Sequence, residues 1–236
     1  MQASLYDFSP LARMLVMGFL LGSGPLLMVY LRHRRASPLG RMHALALVTL
    51  FLTFDLVMFG AFTRLTDSGL GCPDWPGCYG EASPLGASAE IAQAQQAMPT
   101  GPVTPGKAWI EMVHRYLAMG VGLLIVVLAV VAWRGRKPAN DFGGSNPWWP
   151  TLTLIWVCIQ GAFGAWTVTM KLFPAIVTLH LLGGYVLLAL LTVQVRQLAR
   201  QQGLGLVIDV APRQRLWIAL ALVLLAVQSA TGAWVS

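Results

Sequence analysis

Six long apolar runs, separated by stretches that hold most of the charged residues, dominate the chain. Each run has roughly the 20 residues that an α-helix needs to cross a hydrocarbon core about 30 Å thick. The pattern therefore predicts six transmembrane helices. Their approximate bounds are 11–31, 42–62, 109–133, 149–169, 175–195 and 215–236.

The composition supports the same class of protein. Hydrophobic residues make up 56% of the 236 residues and charged residues only 11%, which leaves too little polar surface for a soluble globule of this length. We therefore expect an all-α integral membrane protein. Spans two to five predict a transmembrane four-helix bundle, with an additional N-terminal helix before it and a sixth span after it.

The basic residues predict the orientation of the spans. They concentrate in the connections after spans one, three and five, and such clusters face the cytoplasm. The long connection 63–108 and the tight turn near Pro174 carry few, so we expect them, and the N-terminus, outside. The net charge of +7 follows from this topology and gives no support for a nucleic-acid partner. The clustered residues are Arg32, Arg34, Arg35, Arg41, Arg134, Arg136, Lys137, Arg196, Arg200, Arg213 and Arg215.

Two of the three cysteines lie in the long connection. Cys72 and Cys78 stand in the segment GCPDWPGC, and on an oxidising outer face we expect them to form a disulfide. A free or redox-active pair and a metal site are the alternatives, although two ligands alone rarely hold zinc. Cys158 lies within the fourth span, where we expect a small buried packing residue.

Two histidines lie inside apolar runs, His114 in EMVHRYLA and His180 in IVTLHLLGGY. An ionisable side chain within a membrane is costly and suggests a function. At about 1.5 Å rise per residue, each lies roughly 9 Å below the outer boundary of its span. Two imidazoles at one depth suit the two axial faces of an iron porphyrin in a four-helix bundle. Packing against a neighbouring helix and a proton relay are the alternatives.

Three charged residues lie near the same outer level. Glu111 precedes His114 by three residues, on the same helical face, where its carboxylate could act as a base or stabilise positive charge on a bound ring. It could also simply reach water. Arg64 and Arg115 could pair with propionates or extend to lipid headgroups.

Three further polar residues lie in or beside the spans. Asp55 falls inside the second span, so we expect it to face the bundle interior, where a proton path or an interhelical hydrogen bond could use it. His33 and His43 belong to the first basic connection and its edge. We expect these two histidines to be solvated or interfacial.

The chain also repeats itself weakly. QGAFGAWTV at 160–168 and QSATGAWV at 228–235 each lie near the outer end of a span, and FGAFTRLT at 59–66 is a looser third copy. The recurrence suggests duplicated helix pairs. Ordinary packing of membrane helices through small residues is the alternative.

Four motifs together resemble the haem A synthase (Cox15/CtaA) family of the cytochrome oxidase pathway. They are TRLTDSGLGCPDWPGC after a span, EMVHRYLA opening the next, QGAFGAW closing the one after, and PAIVTLHLLGGY opening the fifth. The resemblance covers roughly residues 42–236. It implies oxidation of a methyl group of haem O to the formyl group of haem A, through hydroxylated intermediates.

The resemblance also implies roles for individual residues. His114 and His180 match the family's histidines for the substrate haem, Glu111 its catalytic carboxylate, and Cys72 with Cys78 its outer-loop pair. The implied partners are haem O, an electron acceptor and haem O synthase. The implied location is a bacterial plasma membrane.

The chain departs from the family in two ways. Residues 1–41 add a helix and a basic loop before the bundle of residues 42–200. The family is similar to two fused bundles, the second with a haem b cofactor, whereas residues 201–236 match only the first helix of that second bundle. We therefore expect either a piece of a longer protein or a homo-oligomer.

Other classes of function are compatible with parts of the pattern. A bis-histidine cytochrome b-type electron-transfer module would use the same site but usually needs a second histidine pair across the bilayer. A non-enzymatic haem carrier would need only weak or one-sided ligation. A transporter is suggested by the weak repeats, but the chain has no clearly broken helix pair.

Overall fold

The structure is a computed structural model that describes residues 9–135, 146–205 and 210–235. It confirms the predicted all-α membrane class, since six of the seven helices in these ranges are long and apolar enough to cross a membrane. The helices are α1 Ser9–Arg32, α2 Pro38–Leu65, α3 Ser88–Ala97, α4 Pro105–Arg134, α5 Trp148–Thr169, α6 Pro174–Gln201 and α7 Pro212–Val235.

The helices begin at start signals in the sequence. Proline is the first residue of α2, α4, α6 and α7, where its missing N–H breaks no helical hydrogen bond. Ser37 and Thr104 cap α2 and α4 through hydrogen bonds from the N–H groups of Gly40 (3.1 Å) and Lys107 (3.3 Å). Both helices start four residues before the predicted spans, because hydropathy alone misses a capped first turn.

Helix α3 was not predicted, because its sequence SAEIAQAQQA is too polar to register as an apolar run. It lies in the long connection between α2 and α4 and contacts α4. Its one buried residue, Ile91, joins a small apolar cluster with the disulfide and with Met112 and Tyr116 of α4. The long connection is therefore packed against the end of the bundle.

Four helices form the bundle in the cyclic order α2, α4, α5, α6 and back to α2. Helices α4 and α6 consequently lie on a diagonal. Helix α1 packs against α4, and α7 packs against α6. The α1 contact uses Gly18 and Gly22, where added Cβ atoms would lie 2.5 Å from Cβ of Met119 and 2.8 Å from the Leu123 side chain; small residues four apart allow this close approach.

Two predictions about residues within the spans were wrong. Asp55 is exposed on α2, because the inward face is occupied by the fully buried Thr49 and Thr53. Their hydroxyls donate to backbone carbonyls one turn earlier, at 2.8 and 2.7 Å, which satisfies them inside the helix. Cys158 is exposed on α5, since Thr153 and Gln160 occupy the buried face.

The two ends of the bundle differ in character. We call the end where α1, α4 and α6 finish the basic end, and the opposite end, which carries the disulfide, the cystine end. Arg136, Lys137 and the N-terminus, which contributed to the predicted orientation, lie outside the described residues. That the basic end faces the cytoplasm stays a prediction.

Candidate functional site

His114 on α4 and His180 on α6 lie on the two diagonal helices of the bundle. Both helices start at the cystine end and run in the same direction, so both imidazoles lie in that half of the bundle. The structure thus places the two predicted ligand residues on diagonal helices in the same half of the bundle.

Each imidazole faces a glycine on a neighbouring helix. A Cβ atom at Gly60 of α2 would lie 3.0 Å from Nε2 of His114, and one at Gly164 of α5 would lie 3.4 Å from Cε1 of His180. Each glycine is five residues before its helix ends, at Leu65 and Thr169. The two histidine–glycine pairs are therefore equivalent in level.

These glycines lead to a prediction for variants with larger side chains. Gly60→Val and Gly164→Val should each displace an imidazole. Such overpacking costs about 1–3 kcal/mol, which corresponds to about 5- to 150-fold in the affinity of a ligand held by the rings. Titration of the purified chain with haem, followed by absorbance, measures the effect. Gly161→Val is the matched control, since nothing lies within 4 Å of its added Cβ. An equal loss there would contradict this role for the two glycines.

The surroundings of His180 fit an iron ligand. Its Nδ1 atom is buried and makes no hydrogen bond, while the backbone carbonyl of Gln160 lies beside the ring. A histidine that binds a metal through one nitrogen normally donates its other N–H to a carbonyl or carboxylate. We expect the Gln160 carbonyl to be that acceptor when the other ring nitrogen binds iron.

Glu111 and Arg115, one turn apart on α4, form a buried ion pair. Nη2 of Arg115 donates to Oε1 of Glu111, and the N–H of Cys72 donates to Oε2 at 2.8 Å. Only 4% of Glu111 and 8% of Arg115 is exposed. The structure therefore excludes a Glu111 side chain that simply reaches water and an Arg115 side chain that extends to lipid headgroups.

Arg115 also holds the loop closed by the disulfide. Cys72 and Cys78 are bonded as predicted, with Cα atoms 4.9 Å apart, and we call residues 72–78 the cystine loop. Nη1 of Arg115 donates to the carbonyls of Asp74 (2.9 Å), Pro76 (3.3 Å) and Gly77 (2.5 Å). One guanidinium thus joins the loop, Glu111 and α4.

The cystine loop is ordered by its own polar contacts as well. The carboxylate of Asp74 accepts hydrogen bonds from the N–H groups of Tyr79 (2.6 Å) and Gly80 (2.7 Å). Burial and the nearby carboxylates of Asp74 and Glu90 raise the pKa of Tyr79 above its usual value near 10, so its phenol stays neutral at physiological pH. Gly71 lets the chain approach α4, since its Cβ would lie 2.4 Å from the carbonyl carbon of Lys107.

The two arginines proposed for propionates have protein partners here. Nη2 of Arg64 donates to the carbonyl of Ala233 at 2.9 Å and joins α2 to α7. Arg115 is engaged by Glu111 and the cystine loop. Their pairing with propionates stays a prediction that would require some of these bonds to be exchanged.

Comparison with known proteins connects this arrangement to a family. The family model COX15-CtaA, described as "Cytochrome oxidase assembly protein", matches residues 43–236. The chain belongs to the COX15-CtaA family. The match begins inside α2, so α1 and the first basic connection lie outside the COX15-CtaA match. The comparison with solved structures found no match.

Curated relatives carry the name "Heme A synthase". The chain is 42% identical to the one from Shewanella oneidensis over 144 residues, which cover 61% of this chain and 42% of that protein. It is 30% identical to the one from Rhizorhabdus wittichii over 228 residues, which cover 86% of this chain and 62% of that protein. The chain therefore spans about half the length of these relatives.

Sequence reasoning missed the residues that accommodate the histidines. The signal for Gly60 and Gly164 was present, since both lie in copies of the repeated FGA motif. That repeat was interpreted as a sign of duplicated helix pairs, with ordinary helix packing as the alternative, and it was not linked to the histidines. Gln160 was noted only as part of the repeat. Its side chain packs against Gly183 of α6, which lies three residues after His180. A Cβ atom at Gly183 would lie 1.9 Å from the amide nitrogen of Gln160.

Proposed function

We propose that this chain supplies the substrate-binding half of a haem A synthase, with haem O held between His114 and His180. The observation that carries the proposal is the pair of imidazoles on diagonal helices, each against a glycine at an equivalent level. Two neutral imidazoles are a known axial ligand set for haem iron in helix bundles. The name shared by the relatives favours haem O as the ligand.

Glu111 is the carboxylate that we propose for the chemistry. Cys72 and Arg115 occupy two of the roughly four acceptor positions of a carboxylate and fix its orientation, which leaves other lone pairs for a bound ring. A negative oxygen fixed beside a reacting methyl group would stabilise positive charge that develops there. Glu111 lies one turn from His114, which supports a position near the rim of a ring bound to that histidine.

The proposed oxidation of haem O needs an oxygen source and an acceptor for the electrons that it releases. Conversion of a methyl group to a formyl group with water as the oxygen source releases four electrons and four protons, in two stages through a hydroxymethyl group. If His114 and His180 both bind the iron, no iron position would be left open for oxygen, which would favour withdrawal of the electrons through the macrocycle and water as the oxygen source. The electrons then need an acceptor, which we expect outside the described residues.

Location and partners extend the proposal. The six apolar helices make the protein a multi-pass membrane protein, and we propose a bacterial plasma membrane with the cystine end and the N-terminus outside. A haem O synthase would supply the substrate. The complete enzyme would hold haem b in a second bundle, provided by a longer chain or by another copy of this one.

Co-expression tests the function. The chain would be produced with a source of haem O in cells that lack their own haem A synthase, and the extracted haems would be separated by chromatography. With the second bundle present, whether from the longer protein or from another copy of this chain, we expect haem A from the wild-type chain and its loss, with haem O still bound, in Glu111→Gln. A Glu111→Gln chain with undiminished turnover would contradict the role of Glu111. Binding of haem O without any conversion, with the second bundle present, would contradict assignment of the oxidation to this site.

A further inference from the structure

The described residues contain a cavity at the basic end, far from the histidine pair. Its volume is about 500 Å³, within the roughly 300–1,000 Å³ typical of ligand sites. It lies among the end of α1, the start of α2 and the residues that follow α6. Part of its wall, including Met28 and Arg32, lies outside the COX15-CtaA match.

The mouth of this cavity is basic. Arg32, His33 and His43 line it together with the amide of Gln202, and none of the lining side chains is acidic. Arg34 and Arg35 follow directly in the same connection. The connection between α1 and α2, residues 33–37, contains no Asp or Glu, so its positive charge has no counter-charge within that connection.

The rest of the cavity is apolar. Met28 and Val29 of α1 face Ala44, Leu47 and Val48 of α2 across it. These residues belong to the membrane-spanning parts of both helices. The cavity is therefore amphipathic along the direction of the spans, with the Arg32 guanidinium and the two imidazoles at the end of the bundle and the apolar wall toward its middle.

We propose that this cavity binds one anionic phospholipid. Its phosphate would lie among Arg32, His33 and His43, and an acyl chain would lie between α1 and α2. Basic pockets between transmembrane helices bind anionic lipid headgroups for the same electrostatic reason. A soluble anion would leave the apolar wall without a partner, and a neutral lipid would leave the basic mouth without one. The bound lipid would connect α1 to the bundle, and this role is independent of haem.

Native mass spectrometry of the delipidated full chain tests the proposal. Dioleoylphosphatidylglycerol should be retained at one molecule per chain and bind more tightly than dioleoylphosphatidylcholine. Arg32→Gln should lower the affinity for phosphatidylglycerol about fivefold, the typical effect of one basic residue near an anionic headgroup. The affinity for phosphatidylcholine should stay unchanged. Ala44→Phe should fill the apolar wall and lower binding of both lipids.

Arg134→Gln is the matched control. It removes the same charge from the last turn of α4, also at the basic end, but Arg134 does not line the cavity. We expect this variant to bind phosphatidylglycerol as the wild type does. Equal affinity of the wild type for the two lipids would overturn the proposal, as would equal losses in Arg32→Gln and Arg134→Gln. Binding of glycerol phosphate as tight as that of the lipid would overturn the acyl-chain part of the site.

Discussion

Replacement of either His114 or His180 by alanine is expected to abolish the six-coordinate, low-spin absorption spectrum of haem bound to this chain. Each variant keeps one imidazole, so the remaining complex should be five-coordinate and high-spin. Loss of a residue that only orients a metal ligand costs about 10–100-fold in metal affinity, and loss of the ligand itself should cost more. Absorbance titration and electron paramagnetic resonance of the purified variants measure both effects.

Two controls separate loss of a ligand from loss of structure. Added imidazole should restore the low-spin spectrum of His114→Ala and His180→Ala, because the space left by the side chain can accept the free ligand. His33→Ala removes a histidine at the basic end and should leave the spectrum unchanged. Low-spin haem in either single variant, without added imidazole, would show that another residue provides the ligand.

Replacement of Arg115 by methionine is expected to destabilise the protein strongly. The variant leaves the Glu111 carboxylate buried without its counter-charge and removes the donor for three carbonyls of the cystine loop. Removal of one partner from a buried ion pair typically costs about 3–5 kcal/mol. Thermal unfolding in detergent, followed by circular dichroism, should show a clear fall in Tm.

The chain offers a matched control for this effect. Arg13 pairs with Glu81 at 3.1 Å at the surface, where 61% of the Arg13 side chain and 45% of the Glu81 side chain are exposed. Exposed pairs contribute about 0–1 kcal/mol, so Arg13→Met should change Tm little. The double variant Glu111→Gln, Arg115→Met should lose less than the sum of the two single variants. Equal Tm values for Arg115→Met and Arg13→Met would contradict an anchoring role for Arg115.

The sequence was sufficient to predict the fold class because membrane helices are encoded by length and hydropathy. It located all six spans. It placed the starts of α2 and α4 four residues too late, because their first turns are polar. Asp55 and Cys158 were misplaced for a related reason. Hydropathy locates a span along the chain but does not say which face of the helix is buried, and small polar residues such as Thr49 and Thr53 took the inward positions.

The candidate site was predictable in its titratable residues but not in their contacts. His114 and His180 were identified because an ionisable residue within a span is unusual. The ion pair of Glu111 with Arg115 follows helical spacing, yet its bonds to Cys72 and the cystine loop depend on how the long connection folds back over α4. No local pattern encodes that return. The cavity at the basic end likewise depends on the packing of α1 against the bundle.

The mass of the pigment bound to this chain tests the central claim most directly. The chain would be purified in detergent from cells that make both haem b and haem O, and the pigment would be extracted with acid and identified by mass spectrometry. The account predicts a farnesylated haem, either haem O, its hydroxylated form or haem A, that is lost in His114→Ala and His180→Ala. Haem b alone would contradict the assignment of the histidine pair to substrate, and a chain that stays empty when haem O is abundant would contradict the bis-histidine site itself.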